Sequence, residues 1–104
     1  MPFYAVTFDH PDAAGWRKHV GAHVEWLRER LADGSVRASG PFRETAHHSA
    51  LLIMAAPDRT ALNAIIATDP FAVHGLIENM TVTEWDPIFG AFATESSMPG
   101  LSAA

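Results

Sequence analysis

The chain has 104 residues, 48% of them apolar, with no cysteine and a formal charge of -5; this suits one domain with its own core and no disulfide staple. Seven Lys and Arg spread against twelve Asp and Glu give no basic footprint, so nucleic acid is not an expected partner. No apolar run approaches the ~20 residues that span a bilayer, and Met1-Pro2-Phe3-Tyr4 lacks the character of a leader, so the expectation is a soluble, cytoplasmic protein.

Phe3 to Phe8 is aromatic and β-branched and is closed by Asp9-His10-Pro11-Asp12, the pattern of a buried strand followed by a loop. From Ala13 to Leu31 the period changes. Trp16, Val20, Val24, Leu27 and Leu31 recur at three- and four-residue steps, which predicts a helix with those side chains on one face, ended by Gly34 in the left-handed position. Ser35 to Ser39 alternates and is stopped by Gly40-Pro41, giving a second strand and a tight corner. Ala50 to Ala55 is almost wholly apolar, as a central strand is. Asp58 then caps a second amphipathic helix, about three turns long, carrying Ala61, Leu62, Ile65 and Ile66 and ending at Asp69-Pro70. Met80 to Trp85 is the last strand. The run Ile88 to Phe92 is too apolar for water and must pack on its own fold or on a second subunit, while Ser96 to Ala104 is small and polar enough to fray.

The order β-α-β-β-α-β implies an α+β fold, a ferredoxin-like sandwich with one antiparallel sheet and both helices on one face. Residues 1–95 make the domain and 96–104 a flexible tail. The strands look apolar on both sides, with Tyr4, Val6 and Phe8 against Phe3 and Ala5, and Leu51 and Ile53 against Leu52 and Met54. The open sheet face therefore calls for a partner, and a homodimer is expected.

Polar chemistry concentrates at Asp69-Pro70-Phe71-Ala72-Val73-His74-Gly75. The Pro70 ring holds Asp69 extended, and the stretch reads locally as a short helix with Asp69 as its N-cap and Gly75 beyond its end. Six histidines raise the question of a metal, and the sharpest pair is His19 with His23, four apart on the first helix. Two ligands do not make a site, so no metal is expected. His47 and His48, adjacent on an extended segment, point apart. Ser39 lacks the surroundings of a nucleophile elbow.

Taken together, Gly21-Ala22-His23-Val24-Glu25-Trp26-Leu27, Asp33-Gly34, Ser39-Gly40-Pro41, Asp69-Pro70-Phe71 with Gly75-Leu76, and Trp85 resemble the YCII (YciI-like) superfamily over residues 3 to 88. The resemblance implies a dimeric ferredoxin-like fold of the α/β-barrel kind and a histidine and aspartate proposed as an active-site dyad, roles that fall on His23 and Asp69. It also implies a small-molecule reaction such as dehydrochlorination of a chlorinated hydroxyhydroquinone. This chain departs from the family in two places: Val20 stands where an arginine is frequent, and His74 where a small residue is common, which adds a second imidazole near the pocket.

An aspartate bonded to one imidazole nitrogen fixes the tautomer and makes the other nitrogen a general base. The expected activity is then proton transfer on a cyclic or aromatic metabolite (elimination, isomerisation or dehydrochlorination), by a lyase or isomerase that uses no cofactor. Ser39, Gly40, Pro41, Phe71 and His74 are the expected substrate contacts, with Phe8 and Phe42 as further walls. Two rivals stand beside this reading: a non-catalytic dimer that binds a metabolite or protein, with a structural His23–Asp69 pair, and a haem- or quinone-binding module with His74 as ligand.

Overall fold

In the computed structural model, which describes residues 1–101, the alternation in the first strand decides what each sheet face does. This strand, β1 (Phe3–His10), sends Tyr4, Val6 and Phe8 to one side, where they are buried with Leu52 and Met54 of β3 (His48–Ala55) and Val36 of β2 (Val36–Pro41). Onto the same face α1 (Ala13–Asp33) brings Trp26, and α2 (Arg59–Ile66) brings Leu62 and Ile66. Burying such side chains contributes ~1.5–3 kcal/mol each. A four-residue helix, α3 (Pro70–Val73), and the strand β4 (Glu78–Trp85) complete the order. Every strand pairs antiparallel, in the order β2-β3-β1-β4. This is the ferredoxin-like α+β sandwich that the element order implies.

The opposite face is covered at one end only. Phe92 packs edge-on against Phe3 at 5.7 Å and against Trp85 at 6.5 Å. Arg37 lies over both Phe3 and Phe92 and pairs with Glu95. Ser96 and Ser97 donate their hydroxyls to Asp86, which ties the start of the expected tail to the end of β4. Residues 102–104, the end of that tail, lie outside the described residues. Phe92 thus finds its packing within the chain, whereas Phe89 is 69% exposed. Further along the same face, Ala5, Leu51 and Ile53 remain only half-buried.

Two differences from the sequence reading shape the site. The second helix ends at Ile66 after two turns instead of three: Thr68 Oγ donates back to the Ile65 carbonyl at 2.6 Å, and Asp69 takes the extended geometry (ψ 128°) that Pro70 requires. On α1 the fully buried residues are His23 and Trp26, while Trp16, Val20, Val24 and Leu27 are half-buried and Leu31 is 50% exposed. The predicted apolar stripe exists, but it faces an open cleft beside β2. That strand is irregular between Val36 and Ala38 and ends in Ser39, Gly40 and Pro41, residues too small to fill the space opposite.

Candidate functional site

α1 starts where Asp12 caps it, accepting from the Gly15 N–H at 3.0 Å, and runs three turns before it reaches His23. Trp26, one turn further, donates its indole N–H to Thr68 Oγ at 2.8 Å, which fastens the helix to the turn that precedes Asp69. These two constraints bring His23 and Asp69 together. His23 Nδ1 lies 2.8 Å from Asp69 Oδ1, with side-chain exposures of 10% and 1%. A carboxylate only accepts, so Nδ1 carries the hydrogen, and in the neutral ring Nε2 keeps its lone pair.

Asp69 also caps α3: the Phe71 N–H donates to Oδ1 at 3.0 Å. The same oxygen therefore serves the cap and the imidazole. Oδ2 is buried with no hydrogen-bond partner among the described residues. The Phe71 ring lies against His23 with centroids 4.3 Å apart and an interplanar angle of 25°. His23 Nε2 has no hydrogen-bond partner among the described residues, and the ring lines the cleft between α1 and the β2–β3 edge, which holds about 380 Å³.

Of the sequence-predicted contacts, Ser39, Gly40, Pro41 and Phe71 line this cleft together with His23. His74 does not. It stands at the end of α3 and turns outward, where its ring stacks on His19 at 3.8 Å on the exposed side of α1. This corrects both the expected second imidazole and the haem-ligand alternative that rested on it. Phe8 is sealed in the core and Phe42 is exposed at the β2–β3 loop, so neither forms a wall of the cleft.

Among the lining residues that went unread in the sequence are four with aromatic or ionisable side chains. Trp16 and His48 stack at 3.8 Å with an interplanar angle of 9°, forming one wall. Arg28 lies at the opposite end, paired with Glu25 at 2.6 Å. His10, 3% exposed, is the fourth. Its Nδ1 bonds the Leu76 carbonyl at 2.8 Å, and burial pushes its imidazole below the ordinary value of 6.5. The signal for His10 was the period of two, which continues Tyr4, Val6, Phe8 to this position and pairs it across the sheet with His48.

No set of three or more His, Cys, Asp or Glu side chains gathers to hold a metal among the described residues. No helix among them is long and apolar enough to cross a membrane. What the cleft offers is an apolar slot with an oriented imidazole at its wall, an arrangement able to accept a proton from a bound ring.

Solved structures share the fold. The 5-chloro-2-hydroxyhydroquinone dehydrochlorinase of Burkholderia phenoliruptrix AC1100, in complex with 2,5-dihydroxybenzoquinone, superposes with a TM-score of 0.68 at 18% identity, over 80% of this chain and 92% of that one. Muconolactone isomerase gives 0.59 at 16% identity, over 83% and 88%. An antibiotic biosynthesis monooxygenase gives 0.53 at 19% identity, over 81% and 96%. At these identities the likeness establishes the fold. No curated protein sequence matches the chain. The model of the YCII-related domain does match, over residues 1–86, and the chain belongs to that family.

Proposed function

We propose that this protein catalyses proton transfer on a small cyclic or aromatic metabolite, with His23 as the base and Asp69 as the group that orients it. The observation that carries this reading is the buried 2.8 Å His23–Asp69 bond, set beside an apolar cleft, with Nε2 unpartnered among the described residues. Elimination and isomerisation share one requirement, a base that takes a proton from carbon or oxygen while a leaving group departs or a double bond moves. Asp69 holds the Nδ1–H tautomer and stabilises the imidazolium formed when the proton arrives. No cofactor enters this scheme. The dehydrochlorinase and the muconolactone isomerase of like fold act on small cyclic compounds and support the substrate class.

The partly covered sheet face, with Ala5, Leu51 and Ile53 half-buried, supports a homodimer joined there. Sedimentation showing a monomer at micromolar concentration rules this out. The decisive assay for the reaction is turnover of 5-chloro-2-hydroxyhydroquinone and of muconolactone by the wild type, His23→Ala and Asp69→Asn. Activity in the wild type that vanishes in both variants, with folding intact, supports the dyad; activity that survives both removes it. A ligand-binding module without chemistry is the second reading, favoured by the cap that Asp69 makes to Phe71. A module of this kind binds these compounds, shifts the His23 resonances and yields no product.

A further inference from the structure

Phe71 is flanked by two imidazoles. His23 meets its ring at 4.3 Å and His10 meets it at the same distance, tilted by 48°. The two histidines are thus separated by at most twice that length. They come from unrelated elements, His10 from the last position of β1 and His23 from the third turn of α1. Both are buried and both line the same cleft.

Their hydrogen-bond patterns also correspond. The Leu76 carbonyl can only accept, so His10 Nδ1 carries its hydrogen, as His23 Nδ1 does toward Asp69. In its neutral form each ring therefore presents an unprotonated Nε2, and neither has a partner for it among the described residues. The difference lies behind the rings: His23 is backed by a carboxylate and His10 by a neutral carbonyl. A proton taken by His23 is met by a directly bonded charge, whereas His10 feels the Asp69 charge only at a distance and bonds a neutral carbonyl, which favours its neutral, accepting form. The burial that holds His10 below its ordinary pKa acts in the same direction.

Two bare acceptors on one aromatic floor specify what occupies the slot. We propose that His10 is a substrate-binding imidazole which accepts a hydrogen bond from a ring hydroxyl, so that the cleft selects a planar ring carrying at least two O–H donors, one for His10 and one for His23. This deepens the proposed function and rests on it. His10 orients the ring through one hydroxyl while His23 takes the proton, and a compound with a single hydroxyl satisfies only one of the two nitrogens.

The test is long-range 15N–1H correlation spectroscopy on protein with 15N-labelled histidine, titrated with catechol, phenol and 1,2-dimethoxybenzene. Catechol should move the His10 and His23 Nε2 signals together with one dissociation constant. Phenol should bind at least tenfold more weakly, and the dimethyl ether should move neither signal. His10→Asn keeps an amide N–H for the Leu76 carbonyl and removes the acceptor facing the cleft; it should weaken catechol at least tenfold while His23 still responds. His10→Gln, whose amide reaches the place of Nε2, should recover part of that loss. If His23 responds while His10 does not, or His10→Asn binds catechol as tightly as the wild type, the inference is overturned and the role of His23 stands. Catechol that moves neither ring also overturns it, and the turnover assay then judges His23 alone.

Discussion

Asp69→Asn separates the two tasks of one oxygen. Asn caps helices as well as Asp does, so the bond from the Phe71 N–H, 3.0 Å long, survives the change. What is lost is the charge behind His23. Hydrogen bonds to ionised groups contribute ~1.5–3 kcal/mol and neutral ones ~0.5–1.5, so the variant should lose about 1 kcal/mol. Asp69→Ala removes the acceptor itself. The missing cap costs ~0.5–2 kcal/mol, and the buried donor left on His23 ~1–3 kcal/mol, about 3 kcal/mol together. In a 104-residue chain one kcal/mol shifts the thermal midpoint by roughly 4–8 °C. Calorimetry should then place Asp69→Asn about 5 °C and Asp69→Ala about 15 °C below the wild type. Activity should not follow stability. The amide oxygen that keeps the cap also keeps the ring hydrogen on Nδ1, but it puts no charge behind the imidazolium that the proposed proton transfer forms. The milder variant should therefore lose far more activity than its small loss of stability implies, and 15N spectra should show hydrogen still on Nδ1. If Asp69→Asn melts as low as Asp69→Ala with His23 still protonated at Nδ1, this account of the shared oxygen is refuted.

Other expectations follow from single positions. Gly21 lies within α1 with nothing near its missing Cβ, so Gly21→Ala should stabilise by ~0.5–1 kcal/mol, whereas Gly34, at φ +84°, should lose ~1–2 kcal/mol on the same change; a denaturant midpoint that falls for Gly21→Ala or rises for Gly34→Ala would contradict the respective expectation. At Gly15 a Cβ would stand 2.5 Å from Leu76 Cδ2 and 2.7 Å from Asp12 Oδ2, so Gly15→Ala should cost ~1–3 kcal/mol despite its helix preference, and it should disturb the His10 resonance through Leu76. The His10 imidazole titrates below 6.5 in the folded chain and near it when unfolded, so the unfolded state binds the extra proton first. Its contribution is complete above pH 6.5 and falls as pH drops through that value; His10→Gln should flatten this part of the stability profile relative to the wild type. Asp86→Ala frees Ser96 and Ser97, and limited proteolysis should then cut within residues 93–101 faster, with β1 to β4 unaffected.

The fold was legible because its signals are local and repeated. Period-two strands, a period-3.6 helix and the Asp69-Pro70 corner fix the element order, and that order permits few sheets. The rotation of α1 was not legible. A stripe of Trp16, Val20, Val24 and Leu27 reads alike whether it meets a core or a cleft, and the difference lies in the small residues of β2 opposite. The contact between His23 and Asp69 spans 46 residues, and the family resemblance suggested it where spacing could not. His74 misled because Phe71, three residues earlier, lines the cleft while the His74 ring leaves from the end of α3. His10 was hidden by Pro11, which made the end of β1 look like a loop, although the strand keeps pairing through His48.

A single oxygen, Asp69 Oδ1, both closes a helix and aligns an imidazole. Position 69 is accordingly judged twice by selection. Folding alone asks for an acceptor at this corner, and asparagine supplies one nearly as well as aspartate. An acceptor there therefore reports the local fold and says little about the proposed proton transfer. Position 23 is the more telling marker for the proposed proton transfer: its ring fills space against Phe71 that other side chains can occupy where no proton has to move.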